Sequence, residues 1–279
     1  VVVNYNAGAA LVDCVRSVLA QEPRPELVVV DNASTDGSVD RLVHAHPGVR
    51  VVRSGGNLGY ARAANLGIAA TSAPVVAVLN PDTALGAGVG RALGVRFSAE
   101  PDLGAAGPRL HNADGSVYPS ARRIPSLVDA TGHGLLFFVW PDNPFTRRYR
   151  EIGADPDRPR DVDWVSGAAI WLRRAALDEV GGWDERYFMY VEDVDLCWRL
   201  RRAGWRVAYE PAGCVEHLLG VSTSSRPYRM IAEHHRSLLR FASVRFTGPR
   251  RVLLGPAAAF LVARGALAMA HHRFAAARR

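Results

Sequence analysis

Lysine is missing from this chain: all 34 basic side chains among its 279 residues are arginine, set against 27 Asp and Glu. The formal charge of +7 therefore rests on guanidinium groups, which bind phosphate and carboxylate bidentately, although a GC-rich genome leaves the same imprint with no functional meaning. Cysteine is scarce. Cys14, Cys197 and Cys214 lie far apart, in odd number and without CxxC spacing, which argues against a disulfide framework or a structural zinc site. A reducing cytosol is the expected setting. No signal peptide is evident, but the chain opens inside Val1-Val2-Val3 with no methionine, so export stays open. No internal repeat is present. An unbroken apolar run of the roughly 20 residues that a spanning helix needs is also absent. VLLGPAAAFLVARGALAMA (252 to 270) comes nearest, and Gly255-Pro256 and Arg264-Gly265 interrupt it.

What is there suffices for a core. A 48% hydrophobic, 22% charged composition suits one large globular domain or one domain with a small appendage. VVVN (1 to 4), ELVVVD (26 to 31), VRVVRS (49 to 54) and VVAVLN (75 to 80) are strand-like, and helical patterns near 9 to 20, 37 to 46, 59 to 70 and 86 to 98 follow them. That alternation predicts an open parallel α/β sheet with helices on both faces. Ligands of such sheets bind beyond the carboxyl ends of the strands, where Asn4, Asp31 and Asp82 stand. Asn32, Ser34 and Asp36 in the following turn suit capping as well as ligand contact.

The middle is less regular. Asp114-Gly115 marks a turn between short extended pieces over 111 to 123, and residues 140 to 164 form a proline-rich, charged surface excursion or lid. DVDWVSGAAIWL (161 to 172) then reads as one apolar strand. From about Arg226 the chain is helical and arginine-studded. Flanked by Arg250, Arg251, Arg273, Arg278 and Arg279, the 252 to 270 segment suits a helix on an anionic membrane surface, or one packed on the domain.

Two chemistries compete for the first half. SGGNLG (54 to 59) misses a dinucleotide fingerprint only at Ser54, with Asp82 placed as a ribose-binding acid, but it follows the third strand rather than the first. In the second half, a helix over about 193 to 203 puts Asp193 with Leu196, Leu200 and Ala203 on a core-facing stripe. Glu192, Asp195, Arg199 and Arg202 would share another face as exposed ion pairs. Asp193 should then point inward at the rim of the domain, an expensive place for a carboxylate without a partner or a task.

VVVNYN, VVDNASTDGS, GGNLGYARAANLGI, VLNPDT, WVSGAAIWLRR, GGWDERYFMYVEDVDLCWRL and CVEH, in this order, resemble the family 2 glycosyltransferases of GT-A fold. The resemblance covers residues 1 to about 225. It implies a Rossmann-like, mostly parallel sheet over 1 to 225 and a C-terminal helical, membrane-associating segment over 226 to 279. DGSVYPSARRIPSL and YFMYVEDVDL are closest to the family's rhamnosyltransferases of actinobacterial wall-linker synthesis. These would move L-rhamnose from dTDP-β-L-rhamnose, with inversion, to O3 of N-acetylglucosamine on a polyprenyl diphosphate. Another rhamnosyl, galactofuranosyl or glucosyl transfer, and a non-catalytic nucleotide-binding module, remain alternatives.

The resemblance also assigns residues. Asp193 would be the catalytic base. Asn4, Asn6, Asp31, Asn57, Gly59, Arg62, Asn65 and Asn80 would hold the nucleotide sugar, and Trp164, Ser166, Gly167 and Glu192 the acceptor. Asp82 and His217 would hold a divalent ion, Mg2+ or Mn2+, in a metal-binding DxD element whose first acid is replaced by Asn80. Arg122 and Arg123 suit a diphosphate or open solvent equally. The expected partners are the nucleotide sugar, the lipid-linked acceptor and an anionic membrane, with no nucleic acid, and the expected place is the cytoplasmic face of the cell membrane.

Overall fold

The computed structural model describes residues 1–137, 139–218 and 227–277, with the side chains of 274–277 excepted. The first half alternates as the periodicity predicts: β1 (Val2–Asn4), α1 (Ala10–Leu19), β2 (Val28–Asp31), α2 (Ser38–Ala45), β3 (Arg50–Arg53), α3 (Tyr60–Ala69) and β4 (Val75–Leu79). A short β5 (Thr83–Leu85), α4 (Val89–Ala99) and the long β6 (Leu103–Asn112) follow. After the Asp114-Gly115 turn come β7 (Val117–Tyr118), β8 (Ala121–Arg122), α5 (Leu127–Leu136) and α6 (Pro144–Tyr149). The chain continues as β9 (Arg160–Asp161), β10 (Trp164–Val165), β11 (Ala169–Arg173), α7 (Arg174–Val180), α8 (Glu192–Arg202) and β12 (Arg206–His217). It closes with α9 (Pro227–Arg245), a 3-10 turn over Gly248–Leu253 and α10 (Leu254–Ala277).

The main sheet runs β3-β2-β1-β4-β11-β6-β12-β5, with β7 and β9 paired at its side. β1 to β4 are parallel where they meet, and β11 enters antiparallel between β4 and β6. Strand parity explains how both faces are buried. Val1, Val3, Val28 and Val30 pack toward Ala61, Ala64 and Ile68 of α3 and Leu196 and Leu200 of α8. Val2 and Val29, one residue out of phase, face Leu11, Val15 and Val18 of α1, Leu42 of α2 and Leu93 of α4. Each fully buried aliphatic side chain of this kind contributes about 1.5–3 kcal/mol. This is the GT-A arrangement that the sequence blocks imply.

Three expectations need correcting. The apolar run 161 to 172 is not one strand: after β9 the chain leaves the sheet, Trp164 and Val165 pair with Arg122 and Ala121 of β8, and only from Ala169 does it rejoin β4 and β6. On α8, Glu192 and Asp195 are not exposed, being 7% and 1% accessible. The Asp195 carboxylate instead receives Nε of Arg199 at 2.7 Å and the Tyr187 hydroxyl at 3.3 Å, while Arg199 reaches on to the carbonyls of Val180 and Gly182. Lastly, α10 is continuous through both of its interruptions, so the helix is long and apolar enough to cross a membrane. Pro256 falls in its first turn, where N–H groups lack intrahelical acceptors, and Gly265 lets the helix approach the His235 ring of α9. The expected boundary at 225 and 226, and Arg278 and Arg279, lie outside the described residues.

Candidate active site

The turn between β4 and β5, the end of β12, the loop before α3, the β10–β11 turn and the start of α8 open into one cavity of about 1130 Å³, which α5, α9 and α10 also wall. Each contribution has a local cause. Pro81 follows the end of β4, and Asp82 then projects beside β12, whose last residue brings His217 Nε2 to 3.3 Å from Asp82 Oδ1. Asn80 Nδ2 lies 3.4 Å from the same ring nitrogen. Asp82 and His217 are both buried, and His217 Nδ1 has no hydrogen-bond partner among the described residues. Among those residues no third His, Cys, Asp or Glu joins this pair into a metal-binding group.

The second cluster starts from a strained turn. Tyr190 and Val191 both have positive φ, 66° and 68°, and a β-branched residue there is a genuine outlier. The turn places Glu192 and Asp193 at the head of α8, facing the cavity. Asp193 Oδ2 accepts the backbone N–H of Gly167 at 2.9 Å, and Oδ1 that of Val194 at 2.8 Å. Burial raises the Asp193 carboxyl above its ordinary 3.8, while those two N–H donors and the nearby Arg122 charge pull it partway back. Glu192 has only its own backbone N–H to lower it. Burial, and then the Asp193 charge, push it from 4.5 to about 8, and its Oε2 is without a hydrogen-bond partner among the described residues. Of the two, Asp193 is the carboxylate that accepts backbone N–H donors with both oxygens.

The residues expected on the nucleotide side divide. Asn32, Asn57, Gly59 and Asn80 line the cavity. Asn32 ties the loop before α3 in place, donating to Asn57 Oδ1 at 3.1 Å and accepting the Leu58 N–H at 2.9 Å. Gly59 is irreplaceable on steric grounds: at φ 85° a Cβ would sit 2.5 Å from the Phe188 carbonyl oxygen. Asn4, Asn6 and Asp31 brace the loop after β2, through Ser34 and Ser38, Thr35, and the Ser34 N–H respectively. Arg62 and Asn65 lie on the outer side of α3, where both reach Glu185 and Asn65 also holds the Trp183 backbone. The residues expected on the acceptor side, Trp164, Ser166, Gly167 and Glu192, all line the cavity. Arg122 does too, but Arg123 points away to Glu151.

Residues 1–181 match the glycosyl transferase family 2 model. The chain is a family 2 glycosyltransferase. Over 284 aligned residues this transferase is 40% identical to the N-acetylglucosaminyl-diphospho-decaprenol L-rhamnosyltransferase of two Mycobacterium tuberculosis strains, covering 98% of this chain and 91% of the relative. Among solved structures it resembles the mannosyltransferase PcManGT from Pyrobaculum calidifontis, with TM-score 0.58, 18% identity, and 98% and 74% coverage of the two chains. S. aureus TarS is similar with TM-score 0.55 and 13% identity over 94% of this chain and 69% of that one. Both share the fold.

Besides Arg122, which the sequence singled out, Tyr60, Tyr149 and Arg150 line the cavity, and none of these three was picked out from sequence. Tyr60 donates its hydroxyl to the Gly167 carbonyl at 2.7 Å, and burial together with Glu192, Asp193 and Asp82 keeps it protonated far above its ordinary 10. Arg122 is sandwiched by aromatic rings, its guanidinium 5.0 to 5.7 Å from the Tyr118, Tyr149 and Trp164 centroids. Tyr149 and Arg150, at the end of α6, enter the cavity from the excursion over 140 to 164. The run of aromatic and arginine residues there was the available signal.

Proposed function

We propose that this transferase moves L-rhamnose from dTDP-β-L-rhamnose to O3 of an N-acetylglucosamine carried on a polyprenyl diphosphate, inverting the anomeric centre. The observation that carries the reading is the 40% identity, over almost the whole chain, with a relative whose name states that acceptor and that sugar. Asp193 is the base that takes the proton of the acceptor hydroxyl. The acceptor oxygen then forms its bond to C1 of the sugar as the bond from C1 to the diphosphate oxygen breaks on the opposite face. A base held by two backbone N–H donors is already aimed, which is what proton abstraction at hydrogen-bond reach requires. Trp164, Ser166, Gly167 and Glu192 wall the acceptor side, while Asn57, Gly59 and Asn80 face the nucleotide sugar beside the loop that Asn4, Asn6 and Asp31 brace. Arg62 and Asn65 support the donor side at one remove, through the 183–185 loop.

The donor diphosphate fits beside Asp82 and His217. An oxygen and a nitrogen 3.3 Å apart suit adjacent positions around one divalent ion with ligand distances of about 2.1 Å. Mg2+ or Mn2+ with so few protein ligands would complete its shell from water and the substrate phosphates, and when bound it would neutralise charge on the leaving diphosphate. The structurally similar mannosyltransferase was solved with GDP-mannose and Mn2+, which supports this assignment.

A lipid-linked acceptor places the enzyme at a membrane, on the cytoplasmic face if the donor is a cytosolic nucleotide sugar. The segment 226 to 279 suits that role beside a catalytic unit of residues 1 to 225. Exposed residues of α10 fall at helical spacing on one wholly apolar face, Ala259, Val262, Ala263, Ala266, Leu267 and Ala270, while Arg264 turns inward. An outward apolar face flanked by Arg250, Arg251 and Arg273 fits an anionic bilayer surface.

The decisive experiment is a donor screen with purified protein and a short-chain prenyl-diphospho-N-acetylglucosamine. Transfer from dTDP-rhamnose alone is expected. Transfer from a different donor would replace rhamnose, and silence with every donor would restore the binding-module alternative.

A further inference from the structure

The reaction centre occupies only one end of the cavity. Its far side has a different chemistry: Leu127 of α5, Leu238 and Phe241 of α9, Phe246, and Leu253, Phe260 and Leu261 around α10 form an apolar cleft. Arg122 and Arg150 line the same cavity, Arg122 close enough to Asp193 and to Arg150 for their charges to interact, and neither makes a salt bridge among the described residues. Nε of Arg150 is buried with no hydrogen-bond partner there. Arg264 enters the same region from α10, donating to the Gly134 carbonyl and meeting His235. His133 lines the same cavity, and burial, then the charges of Arg150, Arg264 and Arg122, lower its imidazole from 6.5 to about 4. The Asp193 charge offsets part of that of Arg122, but Arg122 and Arg150 still repel one another at a low-dielectric wall, so a further anion there would be held strongly. The neighbouring surface arginines behave differently, since Arg123, Arg148 and Arg160 each pair with a carboxylate.

Resting on the proposed acceptor class, we propose that this half of the cavity receives the prenyl diphosphate itself. Its phosphates lie among Arg122, Arg150 and Arg264, and its first isoprenyl units lie in the cleft between α5, α9 and α10. The order is chemically continuous: sugar at Asp193, diphosphate at the arginines, hydrocarbon against Phe260 and Leu261, and the rest of the chain leaving beside the apolar outer face of α10. The donor's diphosphate, at Asp82 and His217, is a separate anion. The C-terminal helices are thereby a wall of the acceptor site as well as a membrane contact.

The test is binding of farnesyl diphosphate, inorganic pyrophosphate and farnesol to the full chain by calorimetry, with no donor present. Farnesyl diphosphate should bind more tightly than either fragment. Arg150→Gln should weaken it about tenfold, the ordinary consequence of losing a charge-assisted hydrogen bond. Leu261→Gln and Leu127→Gln, both at partly accessible positions, should weaken farnesyl diphosphate several-fold and leave pyrophosphate unchanged. Arg123→Gln, on the surface, should change nothing. Equal affinities across all variants whose thermal unfolding matches wild type would overturn the assignment, as would a Leu261→Gln effect on pyrophosphate alone. The binding assay involves no sugar, so a failed donor screen leaves it intact. Conversely, rhamnosyl transfer with an unchanged acceptor KM in Arg150→Gln and Leu261→Gln would sink the cleft and spare the enzyme's assignment.

Discussion

Gly167 holds Asp193 from above: its backbone N–H reaches Oδ2 at 2.9 Å, while its own carbonyl accepts the Tyr60 hydroxyl at 2.7 Å. Three elements distant in sequence, α3, the β10–β11 turn and the head of α8, thus meet at one residue, through the two peptide groups that flank it. The fit is tight, since a Cβ on residue 167 would stand 3.2 Å from Asp193 Cβ. A carboxylate fixed by main-chain donors loses little freedom when it takes a proton, and this separates a positioned base from a buried acid that merely tolerates its site.

Asp193→Asn keeps an oxygen for the Gly167 N–H but removes the basic site. The expected outcome is a kcat lower by about 10²–10⁴, with donor KM within about twofold of wild type. Steady-state kinetics decide it, and a variant as fast as wild type means that some other group is the base.

Glu192 makes stability depend on pH. Its carboxyl is raised from 4.5 to about 8 by burial and by Asp193, so the unfolded chain releases this proton first as pH rises. The stability is therefore fully present below about 4.5 and is lost progressively up to about 8. Glu192→Gln removes that proton release. Its melting temperature should fall less than that of wild type between pH 5 and pH 8.5, and parallel curves would show that Glu192 does not titrate in this window.

The parts of the fold that could be read in advance are those where local pattern and tertiary demand agree. Val1 to Asn4 and Val28 to Asp31 are apolar on both faces because both are covered, and a doubly covered parallel strand looks the same in sequence and in space. Asp82 and His217 were recognisable from their motifs, and the sheet brings them within 3.3 Å. Arg62 and Asn65 could not be placed, because their neighbour Glu185 comes from a loop about 120 residues away. The pairing of Asp195 with Arg199 has the four-residue spacing of an exposed pair, and only the packing of Tyr187 and the Val180 carbonyl against it shows that it is buried. Arg150 needed α5, α6 and α10 in place before it could be seen to face a cavity.

Because the Asp195–Arg199 pair is buried, it behaves as an internal strut. Asp195→Ala strands the guanidinium and should cost about 3–5 kcal/mol of unfolding free energy. Urea denaturation measures it, and a loss below about 1 kcal/mol would return the pair to the class of exposed bridges.

Two glycines of one loop separate close approach from backbone strain. Gly55 has φ 77° and open space within 4 Å of where an alanine methyl would stand, whereas at Gly59 that methyl would strike the Phe188 backbone. Gly55→Ala should lose only the left-handed penalty of about 1–2 kcal/mol. Gly59→Ala should displace α3 from the 187–191 turn and raise donor KM as well. Equal effects of the two in melting temperature and KM would remove the steric argument.

The outer face of α10 gives the last expectation. Val262 and Leu267 are 72% and 55% exposed on a face with no charge, and a helix that presents such a stripe to water is unusual unless another apolar phase covers it. Val262→Asp together with Leu267→Asp adds two negative charges there without touching the cleft, whose α10 lining is Pro256, Ala257, Phe260, Leu261 and Arg264. Flotation with vesicles rich in anionic lipid should show the wild type in the bound fraction and the double variant largely free, while both unfold at the same temperature. Turnover of a short-chain acceptor, which needs no bilayer, should be unaffected, and only the long-chain substrate presented in vesicles should be used more slowly. Equal flotation of both proteins would show that the apolar face serves something other than a membrane, because two aspartates at the bilayer surface oppose both hydrophobic insertion and attraction to anionic lipid.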